Sequence, residues 1–271
     1  MQIIISYFAD TNPFLPMSTF VMGDLHGAYK AMVQCLHRSG FDRQHDTLIQ
    51  LGDVTDGFDE VYACVDELLS IPNLIALRGN HDDWFLEFIQ TGRHPYHFAQ
   101  GGEGTLRSYL HAAGRADGLP LYGQPSPLLL QPAEIPLAHR DFFQSQRLFY
   151  IDDLNNCFVH AGFNRRKPIE QQINKDLFWD RKLWLEALSW EAGNKGKEKK
   201  TKFRMATPFN EVFIGHTRTI VWDTDQPMKA ANVNNIDTGG GGGGRVTIMN
   251  VATKEYWQSD PVSELYEFSY R

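Results

Sequence analysis

The chain has 271 residues, 42% of them hydrophobic and 13% aromatic, enough to build one large folded domain, and no stretch has the composition of a linker. A formal net charge of −7 at pH 7 argues against a broad nucleic-acid-binding face. No apolar run is long enough to span a bilayer, and Ile3-Ile4-Ile5 has no basic residue before it and no long apolar core, which makes a poor signal peptide. Cys35, Cys64 and Cys157 lack zinc-ligand spacing and read as buried free thiols of a cytoplasmic protein. Neither nucleic acid nor membrane is an expected partner, and the oligomeric state is not legible.

Met17 sits just before the first strand-like run, so residues 1–17 read as an N-terminal extension and 18–271 as a single domain. Phe20 to Met22 is a short apolar strand ending in Gly-Asp. Ala28 to Ser39 carries Met32, Val33 and Leu36 at helical spacing and stops at Gly40. Thr47 to Leu51 is a second strand, again ending in Gly-Asp, and Asp59 to Ser70 an amphipathic helix through Val61, Val65, Leu68 and Leu69. Leu74 to Leu77 is a third strand, followed by a helix from about Asp82 to Gln90. Strand, helix, strand, helix, strand predicts an α/β fold with parallel strands and right-handed crossovers, and ligands bind beyond the carboxyl ends of such strands.

About 92–150 reads as a mostly helical cap, with helical patches at Leu106 to Ala113 and Pro136 to Gln146. Short strands follow at Cys157 to Val159, Val212 to Ile214 and Val233 to Ile236, with a helix from Leu183 to Ala192 between the first two. A hairpin of Val246 to Met249 and Glu255 to Trp257 completes what reads as a second sheet packed on the first. Lys195 to Arg204 reads as a solvated charged loop, or else a docking patch for an acidic or phosphorylated partner. The six glycines Gly239 to Gly244 precede a strand with no Lys-Ser/Thr after them, so a tight turn beside the site is expected rather than a nucleotide loop.

Five islands carry the chemistry: Gly23-Asp24-Leu25-His26-Gly27, Gly52-Asp53-Val54-Thr55-Asp56-Gly57, Arg78-Gly79-Asn80-His81-Asp82, Val159-His160-Ala161-Gly162 and Ile214-Gly215-His216-Thr217. Each puts a metal-competent residue beside a glycine directly after a strand. Hydrolysis of a phosphate ester needs a nucleophile near neutral pH and neutralisation of the phosphoryl charge, and two adjacent cations supply both. The islands offer Asp24, His26, Asp53, Asn80, His160 and His216, with Asp53 the natural bridge, a mixture of donors suited to Mn²⁺, Fe or Zn²⁺. His81 can protonate a leaving oxygen, Asp56 can fix its tautomer, and Arg78 can grip phosphate oxygens.

In this order the motifs resemble the calcineurin-like metallophosphoesterases. Within them the chain is most similar to the serine/threonine phosphoprotein phosphatase superfamily, in the compact bacterial and phage branch that includes bacteriophage lambda phosphatase. The likeness covers roughly 18–257 and includes Ile236-Asp237-Thr238-Gly239. It implies a four-layer αββα fold, a central β-sandwich flanked by helices. It implies two divalent metals, most often Mn²⁺, and in-line attack by a bridging hydroxide without a phosphoenzyme. By the resemblance, Asp24, His26 and Asp53 hold one metal and Asp53, Asn80, His160 and His216 the other. His81 and Asp56 are the catalytic pair, and Arg78, Asn80 and Arg181 (in Trp179-Asp180-Arg181) bind the phosphate. The implied substrate is a phosphorylated protein or a small phosphoester. A symmetrical dinucleoside tetraphosphatase is the rival enzyme, and a metal-binding scaffold the non-enzymatic alternative. One position departs: the family has arginine after the second aspartate, where this chain has Gly57. Losing that charge-assisted contact weakens phosphate binding by roughly 1.5–3 kcal/mol unless another cation, such as Arg93 or Arg107, replaces it.

Overall fold

The computed structural model describes residues 17–115, 130–197 and 202–271. The extension ahead of Met17, the middle of the region read as a cap and the centre of the charged stretch lie outside the described residues.

Three β-branched or aromatic runs form β1 (Thr19–Met22), β2 (Thr47–Gln50) and β3 (Leu74–Ala76), parallel neighbours in one sheet. They are connected by α1 (Tyr29–Arg38) and α2 (Val61–Leu69), whose apolar faces are buried through Met32, Cys35 and Leu36 and through Cys64, Val65 and Leu68. After β3 the chain turns directly into α3 (Asn80–Thr91), which starts two residues earlier than its sequence pattern suggests. The reason is local: the Asp82 carboxylate accepts the Gly79 N–H at 3.2 Å, so Asn80 and His81 fall in the first helical turn. Gly92, at φ 68°, ends the helix in the left-handed region.

The described part of the region read as a cap gives α4 (Gly102–Ala112) and α5 (Leu137–Ser145), which pack against α2 and α3. Its last residues instead open the second sheet as β4 (Phe149–Ile151), antiparallel to β5 (Cys157–Val159). The short α6 (Asn174–Leu177) and the longer α7 (Lys182–Asn194) precede β6 (Val212–Ile214). Then come β7 (Met228–Ala230), an edge strand with no clear apolar alternation to announce it, and β8 (Val233–Asn235). β5, β6 and β8 run parallel. The final hairpin, β9 (Thr247–Asn250) and β10 (Tyr256–Gln258), does not extend this sheet: β9 pairs antiparallel with β1 and completes the first one. A last turn of helix, α8 (Val262–Leu265), follows.

The sheet orders are therefore β10-β9-β1-β2-β3 and β4-β5-β6-β8-β7. Alternation along the strands explains their stacking. Phe20, Met22 and Leu48 face α1 and α2, while Val21 and Ile49 face the other sheet. Cys157, Val159, Val212 and Ile214 face α7, while Phe158 and Phe213 stack against each other at 4.8 Å in the inter-sheet core. Sheets apolar on both faces need cover on both, which makes four layers, helix–sheet–sheet–helix. The three cysteines are buried and unpaired. Among the described residues no helix is long and apolar enough to cross a membrane.

Candidate metal centre and active site

All five islands lie at the carboxyl ends of parallel strands, three from one sheet and two from the other, and the layering brings them together. Asp24, His26, Asp53, Asp56, Asn80, His81, His160 and His216 are all buried. Asp53 is central. Its Oδ2 lies 3.6 Å from His26 Nε2 and 3.4 Å from His160 Nε2, and Asp24 Oδ2 is 3.9 Å from His26 Nε2. Two groups of candidate ligand atoms, His26–Asp53–His81 and Asp53–His160–His216, each fall within 4.8 Å, with Asp53 in both.

Backbone partners fix the rings. His26 Nδ1 donates to the carbonyls of Thr55 and Asp56 at 3.0 and 2.8 Å, and His160 Nδ1 to that of Leu51 at 2.8 Å. Both rings thereby turn Nε2 toward Asp53, the orientation expected of a ligand histidine. Among the described residues the buried atoms Asn80 Oδ1, His160 Nε2 and His216 Nε2 have no hydrogen-bond partner. Each such orphan costs roughly 1–3 kcal/mol, and three around one bridging carboxylate fit divalent cations.

The charges agree. Burial, with Asp237 and Asp53 nearby, pushes Asp24 well above the usual carboxylate range. Burial acts on Asp53 in the same direction, but His160 and His81 hold it well below that range. His160 is lowered by burial yet lifted to about 10 by Asp53 and Asp24, while burial and the His160 charge push His216 down to about 2. A site that crowds buried carboxylates against histidine lone pairs calls for added positive charge. Backbone strain collects here too: His26, Asp53, Asp56 and His216 all have positive φ, between 49° and 65°. At Gly79 a Cβ would fall inside contact distance of the Asp53 carboxylate and amide, so only glycine lets α3 start against the bridge.

His81 and Asp56 meet as the sequence reading expects, Nδ1 to Oδ2 at 3.0 Å. Asp56 Oδ1 accepts the Thr105 hydroxyl at 2.7 Å, which pins this loop to α4. Arg181 donates to the His216 carbonyl and the Thr217 hydroxyl at 3.2 and 3.1 Å, at the edge of the cluster. Arg78 turns instead toward Asp83 at 3.6 Å and the carbonyls of Phe143 and Gln144 at 3.4 Å, all long contacts. Arg107 is bound to Glu103 at 2.6 Å and lies over the Tyr270 ring, and Arg93 is exposed, its N–H donating to the Thr91 hydroxyl at 3.2 Å.

Several residues were not singled out from sequence. Asp82, fully buried, accepts from Val54 N at 2.9 Å and from Gln146 Nε2 at 2.9 Å, tying the second and third islands to α5. Its place in Asn-His-Asp was the available signal. Gln50 bonds both the N–H and the carbonyl of Gly52 at 2.8 Å. Trp84 and His97 join Trp179, already named in the Trp-Asp-Arg segment, in an aromatic wall beside His81 and His216. The glycine-rich turn is where the sequence reading expected it, beside the site: Gly240 and Gly241 lie against Asp24 and His26. The remaining residue is Arg271, whose Nη1 and Nη2 contact His26 Nε2 at 2.5 Å and His81 Nε2 at 3.2 Å. No sequence signal pointed to it.

Comparison with known proteins agrees with this geometry. The family model for calcineurin-like phosphoesterases matches residues 17–219. Serine/threonine-protein phosphatase 1 of Salmonella typhimurium is 24% identical over 233 residues, 86% of this chain and 91% of that protein. The symmetrical bis(5'-nucleosyl)-tetraphosphatase of Aggregatibacter actinomycetemcomitans is 38% identical over 76 residues, 28% of this chain and 26% of that protein. A solved structure of a putative diadenosine tetraphosphatase shares the fold, with a TM-score of 0.60 at 15% identity, covering 92% of this chain and 96% of that one. The chain belongs to the calcineurin-like phosphoesterases, hydrolases of phosphoester bonds built around a binuclear divalent metal centre.

Proposed function

We propose that this chain hydrolyses phosphate monoesters, with phosphoserine or phosphothreonine of a protein as its substrate. Asp24, His26 and Asp53 would hold one divalent ion and Asp53, Asn80, His160 and His216 the other, with Mn²⁺ the first candidate and Fe or Zn²⁺ the alternatives. Bound there, the two ions would supply a nucleophile near neutral pH and neutralise the phosphoryl charge. The observation that carries the reading is the buried His81–Asp56 pair, 3.0 Å apart, against the bridging Asp53. Asp56 holds the His81 ring so that Nε2 faces the cluster, where it can give a proton to the departing oxygen. The His81 N–H donates to Asp53 Oδ1 at 3.0 Å and keeps the bridge from rotating. Asn80 and His81 open α3, so the positive end of its dipole faces an arriving phosphate. Arg181 and, after exchanging its long contacts, Arg78 supply further donors.

The near full-length likeness to a serine/threonine phosphatase supports the protein substrate over the tetraphosphatase, which is matched over a shorter stretch. The aromatic wall at Trp84, His97 and Trp179 favours a planar group beside the scissile phosphate and keeps the tetraphosphatase as a second reading.

A panel of phosphoserine peptide, diadenosine tetraphosphate and para-nitrophenyl phosphate, with and without Mn²⁺, separates the two. Turnover of the phosphopeptide is expected, abolished in Asp53→Asn along with binuclear metal loading. Turnover of diadenosine tetraphosphate alone would move the substrate. Metal loading with no hydrolysis of any of the three would leave a scaffold.

A further inference from the structure

A phosphate dianion entering this site needs cationic donors, and the position usual for one cannot supply it. Gly57 has φ 149°, and a Cβ there would lie 2.7 Å from the His26 carbonyl oxygen and 2.9 Å from His26 Cβ. The Gly57 N–H already donates to the Gly101 carbonyl at 3.0 Å. An arginine at this position would displace His26 itself. Arg107 is committed to Glu103, and Arg78 is turned toward Asp83.

The chain brings a different guanidinium to the place. After α8, Tyr266 stacks on Phe58 at 4.3 Å, and its hydroxyl accepts the Lys30 N–H at 2.8 Å. The Tyr270 N–H then donates to the carbonyl of Gly57 at 3.0 Å. This anchored tail crosses the very residue that lacks a side chain and delivers Arg271 between the Nε2 atoms of His26 and His81. Arg271 as a whole stays exposed, while the two histidines are buried, so its guanidinium reaches inward from the mouth of the site. Gly241 leaves the space for it: a Cβ there would overlap both His26 Cδ2 and Arg271 Nη1.

We propose that Arg271 is the phosphate-gripping cation of this site, supplied by the C-terminal tail at the one loop that cannot carry its own. The inference rests on the phosphomonoesterase reading above. In the working site both Nε2 atoms have other tasks, His26 as a ligand and His81 as a proton donor. Like charge moves the guanidinium off His26 when a divalent ion takes that lone pair. Its forked donors are then free for two phosphate oxygens, the pairing that guanidinium geometry suits.

The test uses the full Mn²⁺-loaded chain with Arg271→Ala and Arg271→Lys. Three quantities are read: kcat and KM on para-nitrophenyl phosphate, the calorimetric dissociation constant of inorganic phosphate, and manganese stoichiometry. Arg271→Ala is expected to raise KM and the phosphate dissociation constant about 10-fold or more, the loss of a charge-assisted hydrogen bond, with stoichiometry unchanged. Arg271→Lys should recover part of this, as should free guanidinium ion added to the alanine variant. Unchanged KM and unchanged phosphate affinity would overturn the inference while leaving the phosphatase reading intact. Higher activity with tighter manganese binding in Arg271→Ala would also overturn it, making the tail a plug of the metal site. A wild type that hydrolyses no phosphoester yet binds phosphate in an Arg271-dependent way would sink the functional reading and support the grip.

Discussion

Asp56 does two jobs with separate parts of one residue. Its carboxylate holds His81, and its backbone carbonyl accepts from His26 Nδ1 at 2.8 Å, so the candidate acid and a candidate ligand are oriented by the same turn. That turn is held in a strained backbone conformation, φ 65° at Asp56, by the Thr105 hydroxyl. His81→Asn is expected to lower kcat by about 10²–10⁴ with manganese stoichiometry unchanged, because the ring gives a proton without being needed as a ligand. Asp56→Asn should cost less. Loss of bound metal in His81→Asn would instead make His81 a ligand, as its grouping with His26 and Asp53 allows. The three-residue step from Asp53 to Asp56 was legible in the sequence. Thr105, 49 residues further on, was not, because nothing local marks a threonine in a helix as a partner.

At the scale of elements, the site depends on how α3 begins. Gly79 has no room for a side chain against Asp53, and Asp82 caps the turn from inside. Gly79→Ala should therefore destabilise the fold by about 1–3 kcal/mol, read as a lower denaturant midpoint, and reduce manganese stoichiometry because the bridge is pushed aside. A variant with wild-type midpoint and full metal content would show that the turn can relax. The strands of the first half were legible because each is a short apolar run closed by Gly-Asp or Arg-Gly, and the helices because their apolar residues recur at helical spacing. β9 and β10 were legible as a hairpin but not as part of the first sheet, since alternation gives a strand its faces and not its neighbour. β4 and β7 went unread, being three-residue edge strands.

For the molecule as a whole, the centre is where the two sheets meet, so metal loading couples to the stability of both. Mn²⁺ at 100 times its dissociation constant should stabilise the chain by about 2.7 kcal/mol, a rise in Tm of about 5–10 °C at this size, reversed by chelation. The gain should grow between about pH 6 and pH 8. His160 sits at about 10 in the metal-free protein, so its ion pair with Asp53 contributes fully below its ordinary pKa of about 6.5 and is lost as pH rises through 10. A metal ion must displace that proton, and displacement becomes easier as pH rises. A Tm indifferent to manganese across this range would count against a structural coupling.

Sequence by itself determined the parallel strand–helix order, the candidate ligands and the His81–Asp56 pair, because each is encoded within a few residues of a strand end. The family resemblance also marked Gly57 as standing where an arginine is usual. Tertiary structure alone decided how that lack is met. Contacts between Asp24 and His216, or between His26 and Arg271, join positions 192 and 245 residues apart. Such pairings follow from which layers stack and where the tail is anchored, and no local pattern carries that information.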